Sequence, residues 1–146
     1  MNLVPFVPAM AATVGAWHTP AEEVTAGVVE RWSTTGDVTS HAVLLDGELV
    51  GYGELWLDEA EAEVELARLI VAPEHRGRGI GRWLVDELTA LARPQPTVFL
   101  RLHRDNVAAL RCYVAAGYVR MSPDEEIEWN EGQPVEYAWM RAPAAD

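Results

Sequence analysis

Lysine is absent from this chain of 146 residues, and all 11 of its basic residues are arginine. A Schiff-base mechanism or a phosphate-loop lysine therefore has no residue to use. Cysteine occurs once, at Cys112, which excludes an internal disulfide. Neither that cysteine nor His18, His41, His75 and His103 falls into the ligand spacing of a metal site, so no metal is expected. A reducing, cytoplasmic setting fits such a composition. No apolar run approaches the ~20 residues that span a bilayer. The opening MNLVPFVPAMAATVGAW lacks a basic leading region and carries Pro5 and Pro8, so neither a secretion signal nor a membrane anchor is expected. Positive charge is scarce: 11 basic residues face 23 acidic ones, for a net charge of −12. That balance repels nucleic acid phosphates and anionic membranes, neither of which is an expected partner, and it leans towards cationic partners.

What the chain does have is enough apolar matter, 49% of its residues, to bury a core without staples, and its length suits one domain over residues 1–146. Small and apolar residues at helical spacing predict short helices over Pro8–Ala16 and Ala21–Trp32, after a brief opening strand. Thr39–Leu45 and Leu49–Leu57 are rich in β-formers and flank Asp46-Gly47, a pair that favours the tight turn of an antiparallel hairpin. Glu63–Val71 is a third strand, closed by Pro73. Ile80, Trp83, Leu84, Leu88 and Leu91 share one helix face, and Pro94 and Pro96 end that helix. Thr97–Leu102 reads as a strand. A helix over Val107–Ala116 follows, with Asp105-Asn106 as its cap and Gly117 as its stop. Two tail strands are predicted, Tyr118–Trp129 with an interruption at Ser122-Pro123, and Val135–Arg141. The unit from Glu63 to Leu102 should form a right-handed parallel crossover inside a mixed sheet.

Between the third strand and its helix lies APEHRGRGIGRWL. Gly77, Gly79 and Gly81 remove side chains there and leave backbone N–H groups free to face an anion. A Walker loop would end in Gly-Lys-Ser/Thr, whereas Arg82-Trp83 follows Gly81, and the dinucleotide pattern has a different glycine spacing. The glycines also suit a plain tight turn with close helix packing. Arg76, Arg78 and Arg82, however, crowd one helix N-terminus in an otherwise acidic chain, and that concentration favours a polyphosphate ligand.

The stretch ARLIVAPEHRGRGIGRWLVDEL resembles the acetyl-CoA signature of the GNAT acetyltransferases, Arg/Gln-x-x-Gly-x-Gly/Ala after a strand, with Arg76, Gly79 and Gly81 filling it. A second stretch, LRLHRDNVAALRCYVAAGYVR, is similar to the family's next region, with Asn106, Ala109, Tyr113, Gly117 and Tyr118 in place. The resemblance is best over Val43–Tyr118 and covers the first 40 residues only in coarse element order. It implies an α/β fold, a mixed sheet of about seven strands with about four helices, opened between two splayed parallel strands. It implies acetyl-CoA as co-substrate, held by the loop Arg76, Gly77, Arg78, Gly79, Ile80, Gly81 and Arg82, by the strand backbone of Leu69, Ile70 and Val71, and by Asn106. The Leu69 N–H would polarise the thioester carbonyl.

Acetyl transfer to an amine also needs a base, because an alkylammonium has no lone pair, and an acid for the departing thiolate. By the resemblance Tyr113 is that acid, and Glu65, eleven residues before Arg76, is the first candidate base, with Glu54 on the preceding strand as rival. Either carboxylate could equally be a solvated residue of the acidic stretch Glu54–Glu65. The expected activity is N-acetylation of a primary amine by direct attack in a ternary complex, on a small-molecule or peptide acceptor, with a homodimer compatible with the family. A non-catalytic acetyl-CoA sensor or scaffold is the alternative.

Overall fold

The hairpin that the Asp46-Gly47 turn predicts forms as strands β2 (Val38–Leu45) and β3 (Glu48–Asp58). Both turn residues adopt positive φ, 50° at Asp46 and 82° at Gly47, the left-handed pair that matches strand twist in a two-residue hairpin. In the computed structural model, which describes residues 1–144, β1 (Asn2–Pro5) lies outside β2, and β4 (Glu63–Val71) continues the sheet beyond β3. The connection from β4 to β5 (Thr97–His103) runs through α3 (Ile80–Ala92), and β4 and β5 pair in parallel. The remaining strands are β6 (Val119–Arg120) and β7 (Tyr137–Arg141), and the sheet order is β1-β2-β3-β4-β5-β7-β6, with every pair but β4/β5 antiparallel.

Helices cover both faces. The apolar stripe of α3, chiefly Leu84, Val85 and Leu88, packs on Val64, Leu66, Val98 and Leu100, and α4 (Val107–Ala115) adds Ala109, Leu110 and Tyr113 on the same face. The other face is covered by α1 (Ala11–Ala16) and α2 (Ala26–Thr34), through Val14 and Val29 against Tyr52. The α2 start is later than Ala21, because a short turn at Pro20–Glu22 comes first and the Thr25 hydroxyl then accepts from Val28 N–H at 3.2 Å. Truncating a fully enclosed residue such as Leu88 would cost about 2–5 kcal/mol.

The tail corrects one expectation. Tyr118–Trp129 is not an interrupted strand: β6 holds only Val119–Arg120, and Pro123–Trp129 forms a fifth helix, α5. Ser122 caps it, accepting from Glu125 N–H at 3.2 Å while the Glu125 carboxylate accepts from Ser122 N–H at 3.2 Å, with Pro123 at the first helical position. Ser-Pro-Asp-Glu is thus a helix start, not a break in a strand. Among the described residues, no helix is long and apolar enough to cross a membrane.

Candidate active site

The central geometry comes from one irregularity in β4. Tyr52 pairs with Ile70 but Glu54 pairs with Ala67, so Arg68 and Leu69 together oppose Gly53. Arg68 accommodates the extra residue with φ +52°, a conformation that costs a side-chain-bearing residue on the order of 1–2 kcal/mol. The bulge reverses the alternation of the strand. Val64 and Leu66 face α3, and beyond the bulge it is Leu69 that does so, close over Gly53. A Cβ at Gly53 would come within 2.7 Å of Leu69 and 2.8 Å of Leu88, which is why the opposing position has no side chain.

Parallel pairing of β4 with β5 ends at Leu66↔Leu100, while β4 runs on to Val71 and β5 to His103. The strands therefore part, and among the described residues no strand pairs with the Leu69–Val71 backbone on that side. The opening connects the two faces of the sheet. On the α3/α4 side it broadens into a groove of about 660 Å³ lined by Leu69, Ile70, Val71, the Arg76–Arg82 loop, Asn106 and Ala109. On the other side lies a cavity of about 380 Å³ whose walls include Trp56, Glu65, Arg68, Arg101, Tyr113 and Tyr137.

The glycine loop sits at the mouth of the groove. Gly77 and Gly79 have φ of 77° and 83°, and Gly79 is the N-terminal flank of α3, whose first N–H groups receive no side-chain cap. A Cβ at either glycine would meet nothing within 4 Å, so backbone conformation, not packing, demands the absent side chains. Arg76 is anchored through Nε to the Val71 carbonyl at 3.1 Å, and Arg82 lies 3.9 Å from Asp86. Asn106 borders both cavities and caps α4, its Oδ1 accepting from Ala109 N–H at 3.1 Å.

Tyr113 projects from α4 to the junction of these spaces, beside Leu69, Ala109 and Cys112. Burial, with smaller contributions from Cys112 and Tyr118, pushes its hydroxyl up to about 12, so it keeps its proton across the physiological range. Burial likewise raises the Cys112 thiol, the direction of an inert packing cysteine.

The two candidate carboxylates have different settings. Glu65 lines the cavity and accepts from Arg101 through both oxygens, 2.7 Å from Nε and 2.9 Å from Nη2. Arg101 in turn lies over the Trp139 ring at 4.7 Å and the Tyr137 ring at 5.3 Å. Glu54 is fully buried and accepts from the Tyr52 hydroxyl, from Trp56 Nε1 at 2.7 Å and from Arg68 Nη1 at 3.0 Å. Sequence reasoning missed both arginines and Trp56. Arg101 was open to detection, since the β4/β5 register sets Glu65 against Phe99 and puts Arg101 on the same sheet face two residues on. Arg68 was not, because the bulge reverses strand alternation. His75, which showed no ligand spacing along the chain, lies with Nε2 2.6 Å from Glu48 on the surface, and Glu74 brings a third donor within 4.8 Å.

A mixed sheet parted at its parallel pair, with a glycine loop and helix start at one mouth of the opening, is an acetyltransferase architecture. The chain belongs to the Acetyltransferase (GNAT) family, which it matches over residues 9–118. It is 42% identical over 77 residues to the N-alpha-acetyltransferase RimI of Mycobacterium tuberculosis, a match covering 51% of this chain and 48% of the relative. The chain thus aligns with about half the length of that curated relative. Among solved structures it is similar in fold to a variant of the spermidine N-acetyltransferase SpeG from Vibrio cholerae, with TM-score 0.75 and 16% identity over 98% of this chain and 95% of that one. It is also similar to the aminoglycoside acetyltransferase AAC(6')-Ib in complex with coenzyme A and kanamycin, with TM-score 0.74 and 20% identity over 97% and 94%.

Proposed function

We propose that the chain is an acetyl-CoA-dependent N-acetyltransferase that passes acetyl to a primary amine by direct attack within a ternary complex. The observation that carries this reading is the opening through the sheet. It lets a cofactor on the α3/α4 face and an acceptor on the opposite face meet at Leu69, which lines both spaces, with Tyr113 on the cavity wall beside it. The names of the relatives support the acceptor class in its coarse form, since a protein N-terminus, spermidine and an aminoglycoside all offer amines.

The residues present fit the cofactor. The α3 start, which has no side-chain cap, and the Gly77–Gly81 backbone before it would hold a pyrophosphate, with Arg76, Arg78 and Arg82 around them. The unpaired edge Leu69–Val71 offers backbone partners to amides, as a sheet edge does to an added strand. Acetyl-CoA supplies an activated thioester there. Leu69 N–H, at the bulge, would polarise its carbonyl, and Tyr113 would donate to the sulfur as it leaves. Asn106 acts by fixing the α4 start and so the direction of Tyr113.

Of the two carboxylates, Glu65 reaches the acceptor cavity and Glu54 does not line it. Arg101 uses two of the roughly four lone-pair positions of Glu65, leaving the others for the ammonium or a water. Glu65 therefore orients the ammonium and takes its proton, directly or through that water. Glu54 holds Tyr52, Trp56 and Arg68 in place.

The loop assignment is tested by Gly79→Glu, which sets a carboxylate where the pyrophosphate would lie with open space around the Cβ, and by Gly79→Ala, which carries the same backbone strain at φ +83° without the charge and should lose much less affinity. Calorimetry should show acetyl-CoA binding lost in a protein whose circular dichroism is that of wild type. Unchanged affinity in the folded variant would remove the loop from the site. Tight acetyl-CoA binding without turnover on any amine would instead support a sensor or scaffold.

A further inference from the structure

The acceptor cavity holds two guanidinium groups that differ in how far they are satisfied. Arg101 uses all three of its nitrogens: Nε and Nη2 donate to Glu65, and Nη1 donates to Gln133 Oε1 at 2.9 Å. Arg68 makes a single hydrogen bond among the described residues, from Nη1 to Glu54 at 3.0 Å. Its Nε and Nη2 have no partner among the described residues, and 34% of its side chain is exposed, while Glu54 is wholly enclosed.

The Arg68 guanidinium is nevertheless fixed in place. It lies 4.4 Å from the Trp32 ring centroid and 4.9 Å from that of Trp56, so two indoles and a buried carboxylate restrict its movement. Its backbone holds a positive φ to bring it out on the acceptor side of the bulge. A planar fork of donors that is rigidly held and only partly used matches a carboxylate, which accepts two parallel N–H bonds from it.

The charge balance of the cavity leads the same way. The chain carries a net charge of −12, which by itself would favour cationic acceptors. The carboxylate on the cavity wall, Glu65, is already matched by Arg101, and Glu54 behind the wall by Arg68. A polyamine or an aminosugar with several ammonium groups would find one half-used carboxylate and two guanidiniums.

We propose that Arg68 binds the acceptor, and that the acceptor is an amine carrying a carboxylate a few bonds from its nitrogen, such as a free α-amino acid. The Arg68 fork would take the carboxylate and the remaining lone pairs of Glu65 would take the ammonium. Trp56 and Tyr137 would supply the apolar wall against which a side chain rests. This rests on the acetyl-transfer reading of the site.

The wild-type protein, assayed for acetylated product over a panel of free amino acids, their amides and spermidine, should prefer each acid to its amide by about ten-fold or more in kcat/KM. The amide keeps size and amine and lacks the charge. Arg68→Gln should remove that preference by raising KM for the acid far more than KM for the amide, which shares only the cost of leaving Glu54 without its partner, and Arg68→Lys, which keeps charge without the fork, should restore it in part. Circular dichroism and acetyl-CoA calorimetry identify a variant that has failed to fold, and the wild-type comparison stands without any variant. Amides or spermidine acetylated as well as the acids would overturn the proposal while leaving acetyl transfer intact. An acid-to-amide preference that survives in folded Arg68→Gln would also overturn it. If no member of the panel is acetylated, transfer to these amines fails, transfer to other amines stands apart from it, and the binding claim is read separately from tryptophan fluorescence. L-phenylalanine should then perturb Trp32 and Trp56 in the CoA-saturated protein where L-phenylalaninamide does not, and equal responses would refute the proposal.

Discussion

Replacing Tyr113 by Phe removes one oxygen from the junction where the groove and the cavity meet. Among the described residues the hydroxyl makes no hydrogen bond, and the ring lies among Leu69, Leu84, Val85 and Ala109, so Phe keeps the packing and leaves no partner unsatisfied. Stability at neutral pH should therefore hardly change. Turnover should fall ~10²-fold or more, the usual scale for a lost general acid, with acetyl-CoA affinity close to wild type. A second signature separates the hydroxyl from the ring. The folded hydroxyl titrates at about 12, above the ordinary tyrosine value near 10, so its contribution is complete below about pH 10 and is lost as the pH rises towards 12. That difference between the folded and unfolded chain corresponds to roughly 3 kcal/mol, an upper limit on the stability that wild type loses and Tyr113→Phe keeps over that interval. Urea unfolding at pH 8 and pH 11.5 reads the difference, and stopped-time product assays read turnover. Turnover within a factor of two of wild type, in a folded protein, would refute the acid role.

Glu65→Gln should depress kcat/KM at neutral pH by ~10²-fold and abolish the acidic limb of its pH profile, with partial recovery at higher pH as more free amine is present. Glu54→Gln should act mainly on acceptor KM, through Arg68, and the opposite pattern in pH–rate measurements would transfer the base to Glu54. Glu126, buried beneath β7, accepts from Arg120 Nε and Nη2 at 2.9 Å each and from Trp139 N–H at 3.0 Å, and the Arg120 guanidinium holds its carboxyl below the usual carboxylate range. That contribution is present above about pH 4 and lost as pH falls through the depressed folded value. Glu126→Gln should then destabilise by about 1–3 kcal/mol at pH 7 and by much less near pH 3 in paired urea titrations. Equal losses at both pH values would show that packing, not charge, is at stake.

The features legible in the sequence are those that local chemistry determines. The Asp46-Gly47 hairpin, the limits of β4 and the glycine-led start of α3 depend on backbone conformations that a few residues set. The α5 helix replaces an expected strand although its signal is local, because Ser122-Pro123 punctuates a strand and opens a capped helix with the same two residues. What strand alternation could not reveal was the acceptor side. It depends on a bulge at Arg68, whose only mark in the sequence is Gly53 on the opposing strand, while the Glu65–Arg101 pair needed the parallel register as well as the alternation. Nor does net charge describe the cavity by itself, since Glu54 and Glu65 are each paired with an arginine there.

The most direct test of acetyl transfer is a mass-resolved assay of acetyl-CoA with pooled amines and amino acids, in which free CoA and acetylated product are counted in the same sample. Free CoA should appear only when an amine is present, in equal amount to its N-acetyl product, and Tyr113→Phe should slow both together. Release of CoA that is independent of any amine, or saturable acetyl-CoA binding with no acetylated product from the pool, would contradict acetyl transfer as the function of this site.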